Sequence, residues 1–89
     1  MIQSTLVIVN KLGLHARASS KLVMLASKFS SDITISKDNK TANAKSLMTV
    51  MMLSANKGST IVIAADGTDE NEALNEISLL INTRFGEAE

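Results

Sequence analysis

The hydrophobic periodicity of the chain switches repeatedly between the pattern of a strand and the pattern of a helix. Residues 5–9 and 60–65 are apolar and rich in β-branched side chains, which is typical of strands. From 16 to 29 the apolar residues recur at spacings of three and four, which predicts an amphipathic helix. The chain is therefore a succession of short elements, and their order limits the folds that it can adopt.

The remaining elements complete this order. Residues 32–36 alternate in polarity, residues 37–40 have turn chemistry, and residues 41–44 can return as a partner strand, so a hairpin is predicted. Ser46 stands in a good N-cap position before the apolar segment 47–53, which favours a short helix. Asp69 and Glu72 resemble a capping box at the start of a final helix, and Gly86 is its predicted stop.

The order strand, helix, strand, strand, short helix, strand, helix predicts an α+β fold, an antiparallel sheet with helices packed on one face. A chain of 89 residues has room for a single domain, residues 1–89, because a chain of this size buries roughly 60–65% of its unfolded surface. The chain has no proline, no low-complexity segment and no internal repeat that would divide it.

Composition excludes several classes of function. Nine basic residues balance nine acidic ones and only two aromatic side chains are present, which argues against nucleic-acid binding. The absence of cysteine excludes disulfides and thiolate metal sites. We find no signal peptide and no apolar stretch of transmembrane length, so we expect a cytoplasmic protein without membrane insertion.

The single histidine, His15, stands where the first strand gives way to the first helix. Amide groups in the first turn of a helix lack intrahelical partners, and the helix dipole favours an anion there. Arg17 adds a planar guanidinium suited to phosphate oxygens, and Gly13 allows the backbone to turn sharply beside the ring. A histidine in this setting can act as the nucleophile of a phosphoryl transfer, which predicts a phosphohistidine.

Simpler interpretations stand beside this one. A lone histidine in a loop is more often a surface or capping residue, Arg17 alone can be a solvated helix residue, and Gly13 alone a turn glycine. A metal site is not expected, because no second histidine or cysteine is present and the carboxylates form no ligand-like cluster.

Three segments together carry a resemblance to a known family: Gly13-Leu14-His15-Ala16-Arg17, Lys45-Ser46-Leu47-Met48 and Lys57-Gly58. They resemble the histidine-containing phosphocarrier (HPr) family of the bacterial phosphoenolpyruvate-dependent sugar phosphotransferase system, and the match extends along nearly the whole chain. The resemblance implies an open-faced sandwich with a four-stranded sheet. It also implies a carrier protein that is not itself an enzyme and that needs no cofactor.

The resemblance further implies roles for particular residues and partners. His15 would accept a phosphoryl group on Nδ1 from phosphorylated enzyme I and give it to EIIA domains of sugar permeases, with Arg17 assisting. Ser46 would be modified by an HPr kinase/phosphorylase. Ala18 stands where the family commonly has proline, Leu12 where many members have a small polar residue, and Thr49 where glycine is frequent.

The short helix has its own two interpretations. Val50 and Leu53 are expected in the core, and Leu47, Met48 and Met51 are expected to form an exposed docking patch, since flexible methionines suit surfaces that accept several partners. Met52 could lie on either side. We refer to Leu47, Met48 and Met51 as the methionine patch.

Three functions remain open from the sequence. The favoured one is a monomeric phosphoryl carrier of the sugar phosphotransferase system, and the Lys-Ser-Leu-Met setting of Ser46 supports the kinase-regulated form. The second is a regulatory carrier of the nitrogen-related branch of that system. The third is a non-catalytic α+β interaction module in which His15 is incidental.

Overall fold

Four strands and three helices follow one another in the predicted order. A computed structural model describes residues 1–89. The strands are β1 (Ile2–Val7), β2 (Asp32–Lys37), β3 (Lys40–Asn43) and β4 (Thr60–Asp66). The helices are α1 (Ala16–Ala26), α2 (Leu47–Met51) and α3 (Glu70–Asn82), and a short 3-10 turn, Arg84–Gly86, follows α3.

The strands form one antiparallel sheet in the order β1-β4-β2-β3. β4 occupies an interior position, with Leu6 of β1 opposite Ile61 and Ile35 of β2 opposite Ile63. The inner face is buried at every second residue, as the alternating pattern predicts. The other face carries no helix, so the predicted α+β open-faced sandwich is confirmed.

The helices bury one apolar stripe each against the inner face of the sheet and against one another. α3 packs on β1 and β4, whereas α1 lies between α2 and α3. The buried apolar residues of the helices are Ala18, Leu22 and Ala26 of α1, Val50 of α2, and Ala73, Ile77 and Ile81 of α3. No helix of the molecule is both long enough and apolar enough to cross a bilayer.

Several boundaries differ from those predicted. β1 begins at Ile2 instead of Thr5, because Ile2 pairs with Ala65 at the far end of β4. α1 ends at Ala26 instead of Phe29, because its last turn tightens into i→i−3 hydrogen bonds, including one of 3.2 Å from the Phe29 amide to the Ala26 carbonyl. α2 ends at Met51, two residues early, for the same reason.

The capping box predicted at Asp69 and Glu72 is wrong. Asp69 does occupy the N-cap position of α3, but its side chain makes no capping hydrogen bond. Its carboxylate instead accepts hydrogen bonds from the backbone amides of Ser30 and Ser31, at 2.9 and 3.0 Å, and from the Ser31 hydroxyl. The carboxylate therefore ties the turn after α1 to the turn before α3.

This tie makes the stability of the fold depend on pH. The hydrogen bond from the Ser31 hydroxyl, followed by that from the Ser30 amide, lowers the pKa of Asp69 from 3.8 to about 2. Because the folded state then binds the proton less readily than the unfolded state, the stabilisation is complete above about pH 4 and is lost as pH falls toward 2. We expect Asp69→Asn to melt at a lower temperature at pH 6 and to lose less stability than wild type between pH 4 and 2.

The matched control is Asp32→Asn, because Asp32 begins the strand after the same turn and its exposed side chain makes no hydrogen bond or ion pair within the chain. Its melting curves should follow those of wild type. Parallel pH dependence of the melting temperature in wild type and Asp69→Asn would show that the Asp69 contacts contribute nothing to acid sensitivity.

Candidate functional site

The loop between β1 and α1 is pinned to the segment that precedes β4. Gly13 has a φ of 66°, and an added Cβ would lie 2.5 Å from the carbonyl oxygen of Ala55. The next amide, that of Leu14, donates a 2.8 Å hydrogen bond to the same oxygen. Glycine is required because both its left-handed backbone and this close approach exclude a side chain.

His15 is the N-cap residue of α1, so the helix begins where the sequence predicts. Its backbone is extended (φ −75°, ψ 178°), and its carbonyl accepts the first helical hydrogen bond, of 2.8 Å, from Ser19. The imidazole Nδ1 accepts a hydrogen bond of 3.3 Å from the Arg17 amide. The side chain is 29% exposed, which leaves one side of the ring accessible from solvent.

The other ring nitrogen of His15 is held by the C-terminal segment. Nε2 is paired with a carboxylate oxygen of Glu87. The second oxygen of Glu87 accepts a 3.0 Å hydrogen bond from the side-chain amide of Asn10, which also donates to the Gly13 carbonyl at 2.8 Å. Asn10 is fully buried.

These contacts select one protonation state of the ring. An amide N–H facing Nδ1 requires a lone pair on that nitrogen, and a carboxylate facing Nε2 requires a proton there. The hydrogen bond from Asn10, followed by that from His15, lowers the pKa of Glu87, so the carboxylate is ionised at neutral pH. The nucleophilic lone pair of His15 is therefore on Nδ1, at the N-terminal end of α1.

The surroundings of Nδ1 suit an anion. The amides of Ala16 and Ala18 have no acceptor within the chain, as expected for a first helical turn. The side chain of Arg17 is exposed and makes no hydrogen bond or ion pair, so its guanidinium is free to bind a ligand. An open depression runs past these groups, lined also by Lys11 and Leu12.

The departures from the family pattern leave this arrangement in place. α1 begins at Ala16 without a proline, and Ala18 is fully buried in the core. Leu12 is 65% exposed at the rim of the depression. Thr49 stands where glycine is frequent in the family, and its hydroxyl donates hydrogen bonds to the carbonyls of Asn43 and Ser46, both at 3.1 Å.

Ser46 occupies the N-cap position of α2, as predicted, but its hydroxyl makes no capping hydrogen bond. The nearby hydroxyl of Thr49 donates to backbone carbonyls and does not replace the cap. Consequently Ser46→Ala is not expected to cost the roughly 1 kcal/mol that a lost cap would. Ser46 itself is half-buried at the edge of the methionine patch.

The methionine patch lies on the outside of α2. Met48 is 72% exposed, and Leu47 and Met51 are each 39% exposed. Val50 and Leu53 point inward and are buried, as predicted, and Met52, whose side was left open, is exposed. The helix that exposes this apolar surface also contacts α1, and His15 is the N-cap residue of α1.

Sequence reasoning missed Glu87 and Asn10. Glu87 is 72 residues from His15 in the chain, and no periodic pattern connects the two. The only sequence signal for Asn10 is a polar residue directly after the apolar stretch of the first strand. No group of three or more His, Asp or Glu side chains lies together as a metal site would require.

An accessible imidazole whose Nδ1 lone pair lies at a helix N-terminus, beside an unengaged guanidinium, has the chemistry of a histidine that takes part in nucleophilic group transfer. Residues 2–83 match the family model described as "PTS HPr component phosphorylation site". The phosphocarrier protein HPr of Cupriavidus necator is 51% identical over 100% of both chains. The phosphocarrier protein NPr of Shewanella violacea is 42% identical over 98% of this chain and 96% of its own.

Solved structures of HPr proteins share the fold of this chain. HPr-C-His from Thermoanaerobacter tengcongensis superposes with a TM-score of 0.97 at 46% identity, over 100% of both chains. An HPr dimer from the same organism gives a TM-score of 0.79 at 47% identity, over 98% of this chain and 100% of that one. The chain belongs to the HPr family of phosphocarrier proteins of the phosphotransferase system, whose members are carriers and not enzymes.

Proposed function

We propose that this protein carries a phosphoryl group on Nδ1 of His15, accepting it from phosphorylated enzyme I and passing it to EIIA domains of sugar permeases. The observation that carries the proposal is the orientation of the ring, with the lone pair of Nδ1 toward the first turn of α1 and the proton on Nε2. A phosphoryl group on Nδ1 would lie beside helix-end amides that have no other acceptor. The cytoplasm remains the expected compartment of this exchange.

Arg17 is proposed to stabilise the transferred group. Its guanidinium makes no contact within the chain, so no existing ion pair has to break when a phosphate arrives. Planar, paired N–H donors match the geometry of phosphate oxygens. Phosphoryl transfer depends chiefly on positioning and charge stabilisation, and Arg17 supplies the second of these.

The experiment that tests the proposal is incubation of the purified protein with enzyme I and labelled phosphoenolpyruvate, followed by addition of EIIA domains. We expect label on His15 and its transfer to a sugar-specific EIIA domain. The 42% identity to an NPr protein supports a second candidate, a carrier of the nitrogen-related branch. Preferential transfer to a nitrogen-related EIIA domain would favour that branch.

The methionine patch is proposed as the surface on which these partners dock. Its apolar side chains are exposed on α2, which contacts the helix that carries His15 and Arg17. Unbranched methionines adapt to partners of different shape, as one carrier must when it serves a donor and several acceptors. We propose that the working form is a monomer, although relatives include an HPr dimer.

Ser46 is proposed as a regulatory site, phosphorylated by an HPr kinase/phosphorylase, which acts by changing surface charge. The residue directly precedes the methionine patch, and its hydroxyl is not used as a helix cap. A phosphate there would place about two negative charges at the rim of an apolar docking surface. Burying that charge against a partner would cost desolvation energy, and the charge itself would repel an incoming phosphoryl group.

Ser46→Asp should therefore slow the phosphorylation of His15 by enzyme I, by roughly tenfold, for a penalty of about 1.4 kcal/mol in the complex. The melting temperature should not fall, because the Ser46 hydroxyl makes no hydrogen bond that the change would remove. Initial rates of label uptake and thermal unfolding measure the two effects.

The control is Ser78→Asp, the same change on α3, outside the methionine patch. It should label at the wild-type rate. Equal rates for a folded Ser46→Asp protein and wild type would remove Ser46 as a charge-operated regulatory site.

A further inference from the structure

We propose that Glu87 is a positioning residue for phosphoryl transfer, holding the Nε2 proton of His15 so that Nδ1 alone is nucleophilic and so that the phosphorylated ring stays cationic. This inference deepens the proposed function and rests on it. It assigns a role to the C-terminal segment 87–89, which no pattern in the sequence connects with the site.

The first argument is the chain of contacts from Asn10 through Glu87 to His15. The Asn10 side chain is fully buried, and its Nδ2 donates to both the Gly13 carbonyl and one oxygen of Glu87. Its Oδ1 is buried without a hydrogen-bond partner, so the orientation of the amide is set by the two acceptors that face Nδ2. The second carboxylate oxygen of Glu87 is thereby aimed at Nε2 of His15.

The second argument is that the segment around Glu87 is tied down next to the site. The Lys11 amide donates a 2.9 Å hydrogen bond to the carbonyl of Glu89, a backbone contact that does not depend on the exposed Glu89 side chain. On the other side of Glu87 in the chain, Phe85 is fully buried, and its carbonyl accepts a 2.6 Å hydrogen bond from the Lys21 ammonium. The backbone that presents Glu87 is thus held at both ends.

The proton on Nε2 determines how the phosphoryl group is accepted and passed on. The Nδ1 lone pair forms the bond to phosphorus, and the bond from phosphorus to the donor breaks, with its electron pair remaining on the donor. Nε2 keeps its proton, so the ring becomes a phosphoimidazolium cation beside the Glu87 carboxylate. When the group is passed on, the phosphorus–Nδ1 bond breaks and its electron pair returns to Nδ1, which restores the neutral ring without any proton transfer.

The carboxylate matters because the Nε2 proton makes the ring a better leaving group. With the proton in place the ring departs as neutral imidazole, whereas without it the electron pair from the phosphorus–Nδ1 bond would leave on an imidazolate anion, which resists transfer. An opposite charge in direct contact with Nε2 favours the protonated form. The other charged groups around the ring are the cations Lys11, Arg17 and Lys21 and the anion Glu89. Of all these charged side chains, only that of Glu87 contacts the imidazole.

The test compares Glu87→Gln with Glu89→Gln in the full-length protein. Both substitutions remove one negative charge from the same segment and keep the size of the side chain, but only Glu87 contacts His15. NMR follows the titration of the His15 ring protons, before and after phosphorylation. Label uptake from enzyme I and label transfer to an EIIA domain are measured alongside, and thermal unfolding shows that each variant is folded.

In Glu87→Gln we expect the titration midpoint of the His15 ring to move to lower pH by about half a unit or more in both states. Transfer to the EIIA domain should slow by about threefold or more at pH values above that midpoint, which is the factor that half a pH unit represents, and should recover at lower pH. Glu89→Gln should match wild type in every measurement. An unchanged midpoint in folded Glu87→Gln overturns the inference even if His15 is phosphorylated, and the titration of the free ring remains informative if His15 is not.

Discussion

Replacement of His15 by alanine is expected to abolish uptake of label from enzyme I and phosphoenolpyruvate completely. His15 is the single histidine of a chain without cysteine, and its Nδ1 is the only nitrogen nucleophile at the first turn of α1. The wild-type bond should be labile in acid and stable in base, as expected of a phosphoramidate. The measurement is the label retained on the purified protein after each treatment.

The variant remains interpretable because the ring is not part of the core. Its side chain is 29% exposed, so His15→Ala should melt within a few degrees of wild type. Arg17→Ala provides a second comparison, since it keeps the acceptor and should take up label more slowly. Label that persists in His15→Ala, or that survives acid in wild type, would contradict the phosphohistidine and favour an interaction module in which His15 is incidental.

Gly13→Ala is expected to destabilise the protein more than any other single substitution in the loop between β1 and α1, by about 3 kcal/mol. A left-handed backbone with a Cβ costs roughly 1–2 kcal/mol, and overpacking against neighbouring atoms costs roughly 1–3 kcal/mol more. Here the added Cβ would lie 2.5 Å from the Ala55 carbonyl oxygen and 2.8 Å from the Asn56 Cα, both of which are backbone atoms that cannot rotate away. A domain of this size should lose more than about 10 °C in melting temperature.

Gly58→Ala separates the two costs. Gly58 has a φ of 90°, but an added Cβ would meet nothing within 4 Å. Its substitution should therefore cost only the conformational part, about 1–2 kcal/mol. Urea unfolding of wild type and the two variants measures the difference, and equal losses in the two variants would show that the close approach of Gly13 to Ala55 does not contribute.

The order and type of the elements follow from local patterns that the sequence displays directly. Periodic apolar residues reflect the burial of one face of an element. The structure buries the alternating Ile33 and Ile35 of β2, and it buries Ala18, Leu22 and Ala26, which recur at helical spacing in α1. The same reasoning placed His15 at the start of α1, because that junction is defined by residues next to one another in the chain.

What the sequence could not predict depends on contacts between distant residues. Asp69 has the chemistry of an N-cap, but its carboxylate accepts hydrogen bonds from the backbone amides of Ser30 and Ser31 instead of capping α3. Ser46 likewise has the chemistry of a cap that its side chain does not make. Glu87 reaches His15 only because α3 and the turn after it bring the C-terminal segment back to the first loop, and local periodicity carries no information about that return.

The interior position of β4 has a consequence for how the protein is made. Two of the three strand pairs, β1 with β4 and β2 with β4, depend on a strand that spans residues 60–66 and is therefore synthesised late. Until it leaves the ribosome, β1 has no partner and the hairpin of β2 and β3 stands alone, which is marginal in water. The nascent chain should consequently resist early folding and acquire its sheet in one step, late in translation, with the loop between β1 and α1 formed only after Ala55 and Ser59 are available to anchor it.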